Sequence, residues 1–149
     1  MKPTPPGWPR ISSSLYYVEA IAAIDWLCKA FGFEVQLKIE GEGGRLEHSE
    51  LRYGDGLIMV GSADKPTQSP LRRSPKQIDG FNTQNMMVYV DDIEAHCKQA
   101  RDAGASILKE PTTTDYGEEY WTDRSYEAQD LEGHRWWFSQ RLRNPGTKA

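Results

Sequence analysis

Residues 124–129 alternate strictly. Ser125, Glu127 and Gln129 fall on one side of a strand, and Arg124, Tyr126 and Ala128 on the other. An aromatic-rich run follows at 135–140, of the kind that suits a pleated, half-buried surface. Between them Asp130-Leu131-Glu132-Gly133 is turn material, so strands at 120–129 and 135–140 form a hairpin. Elsewhere the period changes. Across 19–31 the apolar residues Ile21, Ile24, Leu27 or Cys28, and Phe31 recur at helical spacing, and Gly32 supplies a stop. Ile93, Cys97 and Ala100 do the same across 91–103, where Asp91 or Asp92 caps the start and Gly104 the end. Strands are expected at 11–18, 33–39, 45–53 and 57–61, broken by Gly41-Glu42-Gly43-Gly44 and Gly54-Asp55-Gly56. Two more fall at 85–90 and 106–110.

The order β-α-β-β-β therefore occurs twice. Val18 and Val90, Ile21 and Ile93, and Gly32 and Gly104 are each 72 apart (90−18, 93−21, 104−32). The expected organisation is an arm at 1–9, a first module at 10–61, a linker at 62–84, a second module at 85–141 and a tail at 142–149. The linker is rich in Ser, Pro, Lys, Arg and Gln, and loops of that length are usually functional or mobile. One module alone exposes a sheet edge and a face, so the pair is expected to build one continuous sheet or barrel.

The hairpin sequence Arg124-Ser125-Tyr126-Glu127-Ala128-Gln129-Asp130-Leu131-Glu132-Gly133-His134-Arg135-Trp136-Trp137-Phe138, preceded by Tyr116-Gly117, resembles the closing hairpin of the glyoxalase/bleomycin-resistance/extradiol-dioxygenase proteins, the vicinal oxygen chelate superfamily. With the duplicated βαβββ order the resemblance spans about residues 10–141. It implies an α+β fold in which two tandem βαβββ modules form a curled mixed sheet around a cleft. It also implies a divalent metal in the members that are enzymes, held by His, Glu or Gln in the first and last strands of each module. Anchoring on Val18 and Val90 puts Ser13 and Asn85 at the first-strand positions. The last-strand positions fall on Trp137 and on Met59 or Val60. None is a good metal ligand, so the expectation is no metal and no cofactor.

The same resemblance implies a set of cleft-facing, ligand-binding residues. These are Ser13 and Leu15 from the first strand, Ser49 and Leu51 from the third, Asn85 and Met87 from the fifth, and Trp121, Asp123, Ser125 and Glu127 with Arg135 and Trp137 from the closing hairpin. Indoles with short hydroxyl and amide groups suit a flat, partly apolar molecule held by stacking and a few hydrogen bonds. Glu127 can pair a cationic ligand or serve as a general base, or simply stand at the rim paired with Arg124 or Arg135. The first reading is a metal-free binding protein, like the drug-sequestering members of the family, which dimerise. The alternative is a lyase, isomerase or dioxygenase relative with a non-standard metal site drawing on Glu47, His48 or Glu127, or with Glu127 as base. A third is an assembly module with a vestigial cleft.

Composition narrows the partners. A net charge of −4 with no basic stripe argues against nucleic acid. No apolar run approaches the roughly 20 residues of a membrane span, and the first residues carry no apolar signal core. Cys28 and Cys97 both fall in helices and read as buried thiols, which with the missing signal points to the cytoplasm. His48, His96 and His134 are scattered and show no ligand spacing. No G-x-S-x-G elbow and no phosphate-cradling glycine loop is present.

Overall fold

The computed structural model describes residues 1–63 and 71–147. Residues 64–70 of the linker and the last two residues lie outside them. The chain divides into two compact units, Met1–Gly80 and Phe81–Ala149. The first holds β1 (Ser13–Tyr17), α1 (Ala20–Phe31), β2 (Glu34–Glu40), β3 (Leu46–Tyr53) and β4 (Gly56–Ser62). The second holds β5 (Met86–Tyr89), α2 (Ile93–Asp102), β6 (Ser106–Asp115), β7 (Thr122–Gln129) and β8 (Arg135–Arg143). This is an α+β chain of two tandem βαβββ modules.

Each module builds its own mixed sheet, in the order β1-β4-β3-β2 and β5-β8-β7-β6. β1 runs parallel to β4 and β5 parallel to β8, and the other neighbours are antiparallel. The continuous sheet expected from the sequence is therefore replaced, among the described residues, by two separately hydrogen-bonded sheets. The reason is local: the helix returns the chain beside its own last strand, so every strand finds a partner inside its module.

The helices stop and start as their residues dictate. Asp92 caps α2, its Oδ1 accepting from the N–H groups of Glu94 (3.1 Å) and Ala95 (3.0 Å). Gly32 takes the left-handed conformation (φ 82°) that ends α1, its N–H donating to Cys28 O at 3.1 Å. β6 runs five residues past the expected end at Glu110 and through Pro111. A proline is tolerated there because β6 is the edge strand and its pairing with β7 is irregular between Lys109 and Thr112. Residues 71–80 are more ordered than a linker reading suggests: Ser74 caps the turn Pro75–Gln77 with a reciprocal capping box, and Ser74 and Pro75 are buried.

Burial reveals the register of the duplication. The buried positions of α1, Ala20, Ala23, Ile24 and Leu27, match Ile93, His96, Cys97 and Ala100 of α2. The offset is 73 in each case (93−20, 96−23, 97−24, 100−27), not 72. Val18 and Val90 share an identity but not a position, and Tyr17 is the buried counterpart of Val90.

Candidate functional site

In the second module α2 covers one face of the sheet. His96 packs against Phe138 with ring centroids 4.4 Å apart and the planes tilted by 42°, and its Nδ1 lies 2.7 Å from the Tyr126 hydroxyl. Tyr126, Ala128, Trp136 and Phe138 therefore face the helix, all within 1% of full burial. Alternation sends Asp123, Ser125, Glu127, Arg135 and Trp137 to the opposite face, which we call the open face. The pairing confirms the grouping: Glu127 opposes Trp137, Ser125 opposes Ser139, and Met87 lies beside Trp137 on the parallel side. Six of the eight site residues predicted in this module thus share one surface.

That surface is apolar in outline and polar at its centre. Trp137, Met87 and Tyr89 keep 39%, 44% and 47% of their area exposed. The Ser125 and Ser139 hydroxyls lie 2.7 Å apart. Arg135 Nη2 donates to Glu127 Oε2 at 3.2 Å, while Arg135 Nε is buried without a partner. Glu127 is therefore the Arg135-paired carboxylate of the open face, the simplest of the roles the sequence allowed it.

Trp121 lies one residue before β7 and joins the same surface through Arg141. The guanidinium of Arg141 sits 5.2 Å from the ring centroids of both Trp121 and Tyr89. It is anchored by Asp123, with Nε to Oδ1 at 2.6 Å, and also donates to the Tyr89 hydroxyl. Arg143 braces the loop that carries Trp121, reaching Asp115 Oδ1 and Gly117 O, both at 2.9 Å. Asn85 is exposed just before β5 and makes no part of this network. Sequence reasoning missed Tyr89 and Arg141, although each lies two residues along from Met87 and Ser139 and so shares their face.

The first module corrects the sequence expectation. Leu15, Ser49 and Leu51 are 3%, 0% and 0% exposed and belong to the core with Tyr17, Ile58 and Val60. Ser13 pairs with Ile58 on that same side. Anchoring on Val18 placed the strand one residue out, and a one-residue slip exchanges the two faces of a strand. Ser49 is a structural hydroxyl, donating to Val60 O (2.7 Å) and accepting from Val60 N–H (3.0 Å). The open side carries Ser14, Tyr16, His48 and Met59, which with Glu47, Ser62 and Arg72 line a pocket of about 190 Å³. Behind it Glu50 accepts from His48 Nε2 at 3.0 Å and Gln36 Nε2 at 2.8 Å. Those two hydrogen bonds, His48's first, hold the Glu50 carboxyl below its ordinary range.

The donors at the family's metal-ligand positions do not suit a metal centre. Ser13, Asn85, Trp137 and Met59 or Val60 offer hydroxyl, amide, indole and thioether or hydrocarbon groups, which do not fit an iron, manganese, nickel or zinc centre. Among the described residues no group of three or more His, Cys, Asp or Glu side chains gathers as a metal site.

A duplicated βαβββ chain with an open, aromatic sheet face defines a class of small cleft-forming proteins. The model of the Glyoxalase/Bleomycin resistance protein/Dioxygenase superfamily matches residues 14–138, and the chain belongs to that superfamily. Similar solved structures include TioX from Micromonospora sp. ML1, 28% identical, with a TM-score of 0.70 over 91% of this chain and 100% of that one. TnmS3, described as an antibiotic binding protein from Streptomyces sp. CB03234, shares the fold at 16% identity, with a TM-score of 0.62 over 87% of this chain and 93% of its own. Among curated sequences the uncharacterised protein Rv0887c of Mycobacterium tuberculosis is 27% identical over 135 residues, 91% of this chain and 76% of that protein.

Proposed function

We propose that this protein binds a small planar or aromatic molecule on the open face of its second module and holds it unchanged, as in drug or metabolite sequestration. The observation that carries the reading is the surface itself. Trp137, Met87 and Tyr89 are left exposed around the Ser125–Ser139 hydroxyl pair and the Arg135–Glu127 ion pair. Apolar walls with a few fixed polar groups are what a flat ligand needs for stacking and orientation. TnmS3, of the same fold, is described as binding an antibiotic, and that supports the class of ligand without naming it. Asp123, Ser125, Glu127, Arg135, Trp137, Met87 and Trp121 are the proposed contacts.

A homodimer in the cytoplasm completes the reading. No helix among the described residues is long and apolar enough to cross a membrane. The lyase, isomerase or dioxygenase alternative gains nothing from the geometry of the described residues, where Glu127 pairs with Arg135 and no group of three or more His, Cys, Asp or Glu gathers.

Calorimetric titration with a panel of planar aromatic compounds tests the proposal, followed by mass spectrometry of the recovered ligand. A compound that binds, returns intact and loses its affinity in Trp137→Ala is the expected result. Turnover that Glu127→Gln abolishes would replace the binding reading with an enzymatic one.

A further inference from the structure

The two modules join their second and third strands in different ways. The first uses Gly41-Glu42-Gly43-Gly44-Arg45, which is rich in glycine and holds no ring. The second uses Tyr116-Gly117-Glu118-Glu119-Tyr120-Trp121, although a turn between antiparallel strands needs no aromatic residue.

This second loop is held in one shape. The Tyr116 N–H donates to Trp121 O and the Tyr120 N–H to Gly117 O, both at 3.0 Å. Asp115 Oδ1 accepts from the Gly117 N–H at 2.9 Å, and Arg143 Nη2 donates to Gly117 O at 2.9 Å. The rings of Tyr116 and Tyr120 lie 5.4 Å and 6.2 Å from Trp121, yet keep 43% and 54% of their area exposed. Glu118 and Glu119 are exposed between them, and among the described residues their carboxylates form no ion pair. Tyrosines fixed in advance cost little entropy to bury, which suits a contact surface.

The chain carries the opposite charge on an equally fixed support. Arg52, Arg101 and Arg124 pair with carboxylates, whereas Arg73 Nη1 donates to the carbonyl of Arg72 at 2.8 Å. Among the described residues neither Arg73 nor Lys76 has a carboxylate partner. Both are exposed, and between them Ser74 and Pro75 are buried and closed by the capping box. Ile78 is exposed on the same stretch, and Asp79 is its one acid. The two surfaces match: carboxylates and electron-rich rings on one, a guanidinium, an ammonium and an aliphatic side chain on the other. With a net charge of −4 two copies repel in general, so a basic segment selects the acidic loop as its contact.

We propose that the 116–121 loop of one copy docks on the 73–78 segment of a second copy, and that two-fold symmetry repeats the contact in reverse. The proposal rests on the homodimer of the reading above and supplies a surface for it. Ligand binding on the open face does not depend on it. Two contacts of this size make a weak, salt-sensitive dimer.

Sedimentation velocity over a concentration series, at low and at high salt, tests it with two charge-reversed proteins. The wild type is expected to form dimers that loosen as salt rises and grow no further. Glu118→Lys with Glu119→Lys, and separately Arg73→Glu with Lys76→Glu, are each expected to weaken self-association at least about tenfold. Mixed in equal amounts, the two reversed proteins are expected to pair with each other, because both contacts of that heterodimer again join opposite charges. Tyr120→Ser, with its fold checked by circular dichroism, is expected to weaken the wild-type dimer about tenfold as well. A mixture that stays monomeric overturns the proposal, and so do species larger than a dimer. Dimers unchanged in both reversed proteins would overturn this surface and leave the homodimer standing on another. A wild type that is monomeric throughout would overturn the homodimer too, whether or not a planar ligand binds.

Discussion

Asp130 holds the hairpin that presents Glu127, Arg135 and Trp137, and its replacement has a cost that follows from its hydrogen bonds. The side chain is buried at 7% exposure. Its Oδ1 accepts from the N–H groups of Glu132 (3.1 Å) and His134 (3.0 Å), and its Oδ2 from the indole Nε1 of Trp136 (3.0 Å). Asp130→Ala leaves the Trp136 indole donor buried without a partner, which costs about 1–3 kcal/mol. The two turn amides add about 1 kcal/mol each, the net worth of an ordinary hydrogen bond. The sum is about 3–5 kcal/mol, a large part of the stability of a domain this size. Asp130→Asn keeps one oxygen for the turn amides but sets an N–H₂ group against the indole N–H, so only the first of these terms is lost. Urea denaturation followed by far-ultraviolet circular dichroism reads both. In a Trp136→Phe background the indole donor is gone, and Asp130→Asn should then cost less than about 0.5 kcal/mol. An Asp130→Ala cost under about 1 kcal/mol, or an Asp130→Asn cost unchanged by Trp136→Phe, would refute the reasoning.

Three further outcomes are expected. Ser49→Ala destabilises the first module by about 1–3 kcal/mol, because the buried Val60 N–H and C=O both lose their partner; a loss below about 0.5 kcal/mol in urea would contradict the role given to the hydroxyl. The stability difference between wild type and Glu50→Gln depends on pH in a fixed direction. A carboxyl held below its ordinary 4.5 contributes fully above that value, and the contribution is lost as the pH falls through the lower folded value, so the two proteins should converge in acid. Burial pushes the Cys97 thiol up, so it should alkylate slowly in the native protein at mildly alkaline pH and rapidly in urea; equal rates would show an accessible thiolate.

Most of the fold was legible because local chemistry and tertiary packing agree. Period-two alternation marked β7, period 3.6 marked α1 and α2, and Gly32, Asp92 and Asp130 punctuated them as their side chains require. The face each residue takes was legible in the second module, where the Asp130–Gly133 turn pins the register of the hairpin. It was not legible in the first. Val18 and Val90 look equivalent by identity, yet the helices pack at an offset of 73 while Gly32 and Gly104 stay 72 apart, so the second module is one residue shorter by its helix stop. Identity alone does not reveal that slip, and it turned Ser13 and Leu15 from the core side of β1 into apparent ligand contacts; Ser49 and Leu51, assigned on the third strand without that anchor, are core residues as well. The matching burial of Ala23 with His96 and Leu27 with Ala100 was the signal that locates it, and burial is a property of packing.

The central claim is that the open face of the second module takes a planar ligand and returns it unaltered. The most direct test uses the five tryptophans, whose indole N–H groups can be resolved in a two-dimensional nitrogen–proton spectrum during titration with planar aromatic compounds. The account predicts that the Trp137 and Trp121 signals move together and saturate. The Trp136 signal, from the buried face and bonded to Asp130, should stay in place, and the compound should be recovered whole without added metal. Binding that leaves Trp137 and Trp121 unmoved, or a compound consumed during the titration, would contradict it.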